Sequence, residues 1–289
     1  MKHARLLHNS SAGKEDHEPN DLIEEIRSNG FECSYSSTKK KELKKLNKEF
    51  DFIVAAGGDG TVNQVANGIA GSNAALGILP MGTVNVFAME LGLPANDLER
   101  CWEIIQTGNV RLVDLPSANG KYFVQLGGIG LDAQAVKETT LAFKRSLGPL
   151  SYLISAAHIA GRRPPELFID SENAPVREGS FVLVGNGRLY GGPFPFFKQA
   201  VVDDGLLDVV VFKRLGFLEI IKYLHDVVFS SDIRVPEIEY FQTRQLRVSS
   251  EQDVPVELDG ELAGNCPVDF QMHEKALPVL SSPASPQRY

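Results

Sequence analysis

Three glycines surround an acid in Gly57-Gly58-Asp59-Gly60-Thr61, directly after the apolar run Phe52-Ile53-Val54-Ala55-Ala56 and before Val62, Val65, Ala66 and Ile69 at helical spacing. The pattern is strand, tight turn, helix. Lacking Cβ atoms, the glycines let backbone N–H groups approach a bulky anion, and the helix N-terminus adds a favourable dipole, so the turn suits a phosphate. A bare strand-to-helix turn would be spelled the same way. No lysine follows the glycines, which excludes a Walker A loop. Charge on a bound phosphate would then be met by backbone dipoles, a metal or a distant side chain. The next unit of the same kind is Ala75-Leu76-Gly77-Ile78-Leu79 followed by Pro80-Met81-Gly82-Thr83-Val84-Asn85. There Gly82 permits close approach, while Thr83 and Asn85 offer hydrogen-bonding groups at a helix start. Later in the chain, Asp203-Asp204-Gly205 and Asp259-Gly260-Glu261 place acids beside glycine. Taken alone, an Asp-Gly pair between strands is a hairpin turn.

The elements that must carry these residues change character along the chain. Up to about Val110, strands alternate with helices. A first strand over Met1–Leu7 enters the loop Asn9-Ser10-Ser11-Ala12-Gly13, and Asp21 with Glu24 reads as a capping box closed by Gly30. A strand follows over Phe31–Ser36, and Asp97 caps a helix that Gly108 ends. Alternation of this kind predicts an α/β doubly wound domain. Beyond it, strands are expected at Tyr122–Leu126, Glu166–Asp170, Ser180–Val184, Leu207–Phe212, Leu246–Ser249, Val254–Leu258 and Val268–Met272, with helical patterns at Pro149–Ala160 and Gly216–Val228. The expected organisation is an α/β domain over 1–112, a mainly antiparallel β-sandwich over 113–275 and a tail over 276–289. Substrates would meet in the cleft between the domains. The lysines at 39–41, 44 and 45 read as a solvated helix face. Leu150–Ile159 could line an acyl site, although core packing explains its apolar residues more simply.

Composition narrows the partners. With 289 residues, 43% hydrophobic and 23% charged, the chain is an ordinary globular protein large enough for two domains. A net charge of −8 argues against nucleic acid and gives no global attraction to anionic membranes, so membrane contact has to be local. Neither a secretory apolar segment at Met1–Ser11 nor a run long enough to span a bilayer is present. Cys33, Cys101 and Cys266 are scattered and odd in number, which predicts reduced thiols in a cytoplasmic protein. A homodimer is compatible with the sequence.

Together, Gly57–Thr61 and Pro80–Asn85 resemble the signatures of the diacylglycerol kinase catalytic family, which includes bacterial soluble lipid kinases and sphingosine kinases. NAD kinases carry a related glycine–acid loop. Further correspondences run in family order: Asn9 with Gly13, Gly128-Ile129-Gly130-Leu131-Asp132-Ala133, Asn186-Gly187 through Gly191-Gly192, Asp203–Asp208 and Asp259-Gly260-Glu261. The resemblance implies an ATP-dependent kinase acting on a lipid hydroxyl at a membrane surface. Diacylglycerol is the first expectation, and an NAD-kinase-like small-molecule kinase or a non-catalytic nucleotide-binding regulator is the alternative. It implies nucleotide contacts from Asn9, Gly13, Thr38, Gly57, Gly58, Asp59, Gly60, Thr61, Asn63, Gly82, Thr83 and Asn85. Asp59 would position Mg²⁺ or the phosphates. Asp259 and Glu261 would face the acceptor, with Glu261 as proton acceptor. A structural Mg²⁺ is implied at Asp204 with backbone oxygens of Val201 and Leu206.

Overall fold

The computed structural model describes residues 3–13, 18–38, 50–95, 97–130, 164–172, 174–213 and 236–282. Outside the described residues lie the turn residues Leu131, Asp132 and Ala133, the lysines at 39–45, the helices expected over 149–160 and 216–228, and the tail from 283 onward. In chain order the first elements are β1 (His3–His8), α1 (Pro19–Ser28), β2 (Glu32–Ser37), β3 (Phe52–Gly57), α2 (Asp59–Ile69), β4 (Ala75–Pro80), α3 (Val86–Glu90), α4 (Leu98–Thr107) and β5 (Val110–Val113). Among the described residues strands follow: β6 (Ser117–Ala118), β7 (Lys121–Tyr122), β8 (Leu126–Ile129), β9 (Leu167–Ser171), β10 (Arg177–Gly179), β11 (Phe181–Gly185) and β12 (Leu207–Phe212). The last are β13 (Ile238–Thr243), β14 (Gln245–Ser249), β15 (Pro255–Leu258), β16 (Glu261–Asn265), β17 (Val268–Gln271) and β18 (Leu277–Leu280).

The chain divides into two compact units, Met1–Leu115 with Glu274–Tyr289, and Pro116–His273. In the first, β2, β1, β3 and β4 form a parallel doubly wound sheet in that order. β3 and β4 are buried along their whole length, which is why they read as unbroken apolar runs rather than alternating ones. α2 covers the sheet with Val62, Val65, Ala66 and Ile69. Asp97 caps α4 as expected, its carboxylate accepting the Arg100 N–H at 2.9 Å, and Gly108 closes it in the left-handed region. α1 departs from expectation: it starts at Pro19 with Glu18 at the N-cap, and Asp21 lies inside its first turn. Proline's fixed φ is already helical, so the helix begins ahead of the capping-box residues.

The end of the chain corrects the expected organisation more substantially. Residues 277–280 are not tail. They form β18, which runs parallel to β4 on one side and antiparallel to β5 on the other. Leu277, Val279 and Leu280 are buried there. The four-residue segment is too short to show a period, and it sits beside a proline- and serine-rich end that reads as disorder. The unit boundaries accordingly fall at Leu115/Pro116 and His273/Glu274 rather than at 112/113 and 275/276.

The second unit is a sandwich of two six-stranded antiparallel sheets, β10-β9-β14-β17-β6-β7 and β13-β12-β11-β8-β15-β16. Val182 and Val184, Val209 and Val211, Leu246 and Val248, and Val268 with Phe270 alternate inward to make the shared core. β12 is buried on both faces. Its opposite side carries Val210 and Phe212 into a second cluster with Leu183, Phe196 and Phe197. Arg177 on edge strand β10 reaches edge strand β13 of the other sheet, pairing with Glu239 at 2.6 Å and lying 3.9 Å over the Phe241 ring. The Arg177 hydrogen bond, aided by Lys213, holds the Glu239 carboxyl below its ordinary range. Among the described residues, no helix is long and apolar enough to cross a membrane.

A chain stopped after Lys275 tests the correction. Each of Leu277, Val279 and Leu280 contributes about 1.5–3 kcal/mol by burial. Their sum is comparable with the ~5–15 kcal/mol that stabilises a whole domain. Calorimetry is therefore expected to show no cooperative melting of the first unit, whereas a dispensable tail would leave its transition unchanged.

Candidate active site

Strands β1, β3 and β4 end side by side, with His8 opposite Ala56 and Gly57 opposite Pro80, so their outgoing loops share one edge of the sheet. β2 ends there too, and the Thr38 N–H donates to the His8 carbonyl at 3.1 Å. With strand order β2-β1-β3-β4, this edge contains the point between β1 and β3 where the winding reverses, the usual crevice for a ligand in such sheets. The loops are drawn together by missing side chains. A Cβ on Gly82 would lie 2.4 Å from the Gly58 Cα, and one on Gly13 would lie 2.5 Å from the Met81 carbonyl oxygen. Only glycine permits either approach. Gly58 is also the N-cap of α2, and its carbonyl accepts from Thr61 N at 2.9 Å and Val62 N at 3.1 Å.

The polar residues of this edge divide into those that shape the loops and those left at the surface. Asn85 adopts a left-handed conformation (φ 58°), and its amide closes on Gly82 in both directions at 2.9 Å, so it holds the loop that bears Thr83. Thr83 is exposed. The Asn9 carboxamide accepts the Ser11 N–H at 3.1 Å, fixing the turn towards Gly13. Thr61 is buried beneath Gly57, where a Cβ would meet its Oγ1 at 2.3 Å. Asn63 is buried further along α2 and accepts from Asn67 at 2.6 Å. Asp59 has a structural partner: its Oδ1 accepts the Phe87 N–H of α3 at 3.1 Å and so ties the first glycine loop to the second. Desolvation raises its carboxyl above the ordinary range, against N–H donation from Phe87 and its neighbours at the start of α3.

The acids of the second unit lie on a different scaffold. Asp259 and Gly260, with φ 48° and 81°, are the two central residues of a hairpin between β15 and β16, so the Asp-Gly turn that the spelling suggests is present. The Asp259 side chain is not idle. Its carboxylate accepts the N–H groups of Val124 at 2.8 Å, Gln125 at 2.9 Å and Leu126 at 3.0 Å. Asp259 therefore fixes the bend leading into β8, and the turn leaves Glu261 exposed at the start of β16.

Asn186 reinforces the same bend, donating its side-chain N–H to Val124 O and its backbone N–H to Gln125 O, both at 2.9 Å. Glu257 is a supporting residue the sequence reading passed over. It is 1% exposed and accepts the Gly260 N–H at 2.7 Å. An acid within the apolar run Val254–Leu258 was the available signal.

The third expected group, Val201, Asp204 and Leu206, does converge on one turn. Val201 O accepts Asp204 N at 3.3 Å, and Asp204 Oδ1 accepts Leu206 N at 3.0 Å. An exposed carboxylate and neighbouring backbone carbonyls are the hard oxygen donors that Mg²⁺ takes, so the residues fit that ion in kind. Among the described residues no three His, Cys, Asp or Glu side chains gather into a metal site. An ion at Asp204 would thus depend on carbonyls and water. Burial pushes the Cys266 thiol up to about 11, burial with the nearby Asp97 does the same to Cys101, and burial raises Cys33 as well, all away from the thiolate form.

A parallel sheet edged by glycine loops, with an antiparallel sandwich beyond it, is the fold shared by diacylglycerol and NAD kinases. The chain belongs to the diacylglycerol kinase family: the diacylglycerol kinase catalytic domain model matches residues 3–118, and that of the YegS C-terminal NAD kinase beta sandwich-like domain matches residues 127–281. It is accordingly a kinase by family. It is 28% identical to a diacylglycerol kinase of Bacillus subtilis (strain 168), covering 93% of both chains. A Staphylococcus epidermidis diacylglycerol kinase is 29% identical, with 97% of this chain and 92% of that one covered. The crystal structure of a candidate diacylglycerol kinase from Bacillus anthracis str. Sterne superposes with a TM-score of 0.83 at 25% identity, covering 98% and 97% of the two chains. An NAD kinase from Archaeoglobus fulgidus in complex with ATP shares the fold, with a TM-score of 0.54 at 12% identity over 97% and 94% of the chains.

Two expectations follow for the acids. Asp259→Ala strands three backbone N–H groups, each costing about 1–3 kcal/mol, so melting of the second unit should fall by roughly 6 °C or more in calorimetry. Asp59 has the opposite sign. Its folded-state pKa lies above the unfolded value of ~3.9, so the stability it contributes is complete below that pH and is lost as pH rises through the folded value. Asp59→Asn keeps an oxygen for Phe87 without the charge. Its melting temperature is expected to equal or exceed that of the native protein at pH 7, with the gap closing below about pH 4.

Proposed function

We propose that this chain is an ATP-dependent lipid kinase that transfers the γ-phosphoryl group to a lipid hydroxyl, with diacylglycerol as the foremost acceptor. The observation that carries the reading is the backbone contact of Gly58 with Gly82 at the start of α2. It brings two glycine-bearing turns together beside a helix N-terminus, an arrangement suited to a polyphosphate. Its support in this family comes from relatives named as diacylglycerol kinases over almost the whole chain. ATP supplies the transferred group when bound, and Mg²⁺ supplies neutralisation of its charge.

The chain's own residues divide the remaining work. Gly57 to Thr61 and Gly82 to Asn85 hold and orient the phosphates, Asn9 and Gly13 shape the adjoining loop, and Asp59 keeps the two turns in register. In the second unit, Glu261 accepts the proton of the lipid hydroxyl. Asp259 is a positioning residue whose hydrogen bonds fix the turn that presents Glu261. Asp204, with Val201 and Leu206, would hold a structural Mg²⁺.

ATP consumption measured against diacylglycerol, sphingosine, NAD and fructose 6-phosphate tests the acceptor class. Turnover with NAD alone would replace the lipid reading with a nucleotide-kinase one. Glu261→Gln tests the chemistry. It keeps size and shape but cannot take a proton, so kcat is expected to fall ~10²–10⁴-fold. ATP affinity should hold, and stability should stay within about ±0.5 kcal/mol because Glu261 is exposed. An unchanged kcat would remove Glu261 from the mechanism.

A further inference from the structure

Between β11 and β12 the chain makes a short aromatic hairpin that neither the nucleotide loops nor the Asp259 turn uses. Its nine residues, Leu189 to Phe197, read Leu-Tyr-Gly-Gly-Pro-Phe-Pro-Phe-Phe and carry no charge. Leu189 and Pro195 form an antiparallel bridge, Tyr190 N donates to Phe194 O at 3.0 Å, and Phe197 N donates to Arg188 O at 3.0 Å. Gly191 and Gly192, at φ 62° and 143°, turn the tip. The aromatics then part company. Phe196 and Phe197 are 4% and 0% exposed in the core behind β12, whereas Phe194 is 42% exposed, between two exposed prolines.

A lone exposed apolar residue is ordinary. What distinguishes Phe194 is that it is held outward. Flanking prolines fix the backbone on both sides, and the bridged base leaves little freedom for the ring to fold back. An aromatic ring presented in this way has already lost the freedom that insertion into another phase would cost.

We propose that the Pro193-Phe194-Pro195 tip inserts into the interfacial region of a bilayer containing anionic phospholipid, a proposal that rests on the lipid-kinase reading. Charge complementarity selects that occupant. With a net charge of −8 the protein as a whole is repelled by an anionic surface, so contact requires a local patch free of acids. The hairpin is such a patch, and its base is flanked by the partly exposed cations Arg188 and Lys198. They would lie at headgroup level while the ring enters below them. The hairpin is also coupled to the acceptor machinery through one residue. Gln125 donates its side-chain amide to Leu189 O at 2.8 Å and its backbone N–H to Asp259 Oδ1 at 2.9 Å. Docking the tip therefore fixes the depth at which the Asp259–Glu261 turn meets a lipid hydroxyl.

The test uses the full chain and vesicles of phosphatidylcholine with phosphatidylglycerol. Native protein should sediment with the vesicles, and Phe194→Asp should lower the bound fraction about tenfold at limiting lipid, the scale set by burying one aromatic side chain. Phe194→Trp should retain binding, and its emission should shift to the blue on adding vesicles. The native Trp102 is 5% exposed, so it contributes a constant background. Equal binding by native and Phe194→Asp protein, no binding by either, or an unmoved emission would each overturn the proposal. Turnover on a short-chain, water-soluble diacylglycerol separates the two readings. Phe194→Asp should match native protein there and lose only activity on vesicle substrate. Failure of native protein to phosphorylate any lipid would end the kinase reading, while vesicle partitioning would still judge the hairpin.

Discussion

Two backbones touch where Gly58 and Gly82 meet, and no carbon can be placed between them. That single constraint sets the edge of the first unit. It forces the turns after β3 and β4 together at the start of α2, and the Gly13 turn likewise packs against the Met81 carbonyl. A phosphate-sized anion is accommodated by such a surface through N–H groups, with no lysine needed in the loop itself. The polar residues around it are arranged to preserve the contact. Asn85 locks Gly82, and Asp59 binds the helix that follows.

The acids share a theme across both units: several of the residues that spell kinase chemistry are engaged as struts. Asp59 takes an N–H from α3, Asp259 takes three from the bend and first residue of β8, and Glu257 takes one from the turn that Asp259 begins. A carboxylate used in this way forms charge-assisted hydrogen bonds that order the neighbouring backbone. The exposed Glu261 is then presented by a turn that cannot wander. Rigidity in the support and exposure at the tip are what the proposed role of Glu261 as proton acceptor would need.

Much of this was legible in the residues. β3 and β4 announce themselves as unbroken apolar runs ending in glycine loops, Asp97 and Gly108 bracket α4, and β12 is visible as Leu207–Phe212 because both of its faces are buried. What was not legible depends on partners distant in sequence. β18 is recognisable only once β4 and β5 are seen to leave a gap for it. β16 is an exposed edge strand whose residues, Glu261 to Asn265, carry no apolar alternation. Asp259 has the spelling of a turn whether or not its carboxylate reaches residues 124 to 126, because those donors lie more than a hundred positions away. The start of α1 was misplaced for a local reason: the proline at its first turn outranks the acid two residues later.

The path of the chain through β18 has a consequence for biogenesis. As the polypeptide leaves the ribosome, β1 to β4 emerge first, yet the strand that belongs beside β4 is encoded after the whole sandwich. Until residue 277 has been made, β4 is an open sheet edge lined by Leu76, Ile78 and Leu79, the kind of edge that pairs with whatever strand is nearest. The sandwich is under no such delay, since all its strands lie between Pro116 and His273. Synthesis from the N-terminus therefore completes the second unit before the first, and the nascent first unit is the part of the newborn protein that chaperones have most reason to hold.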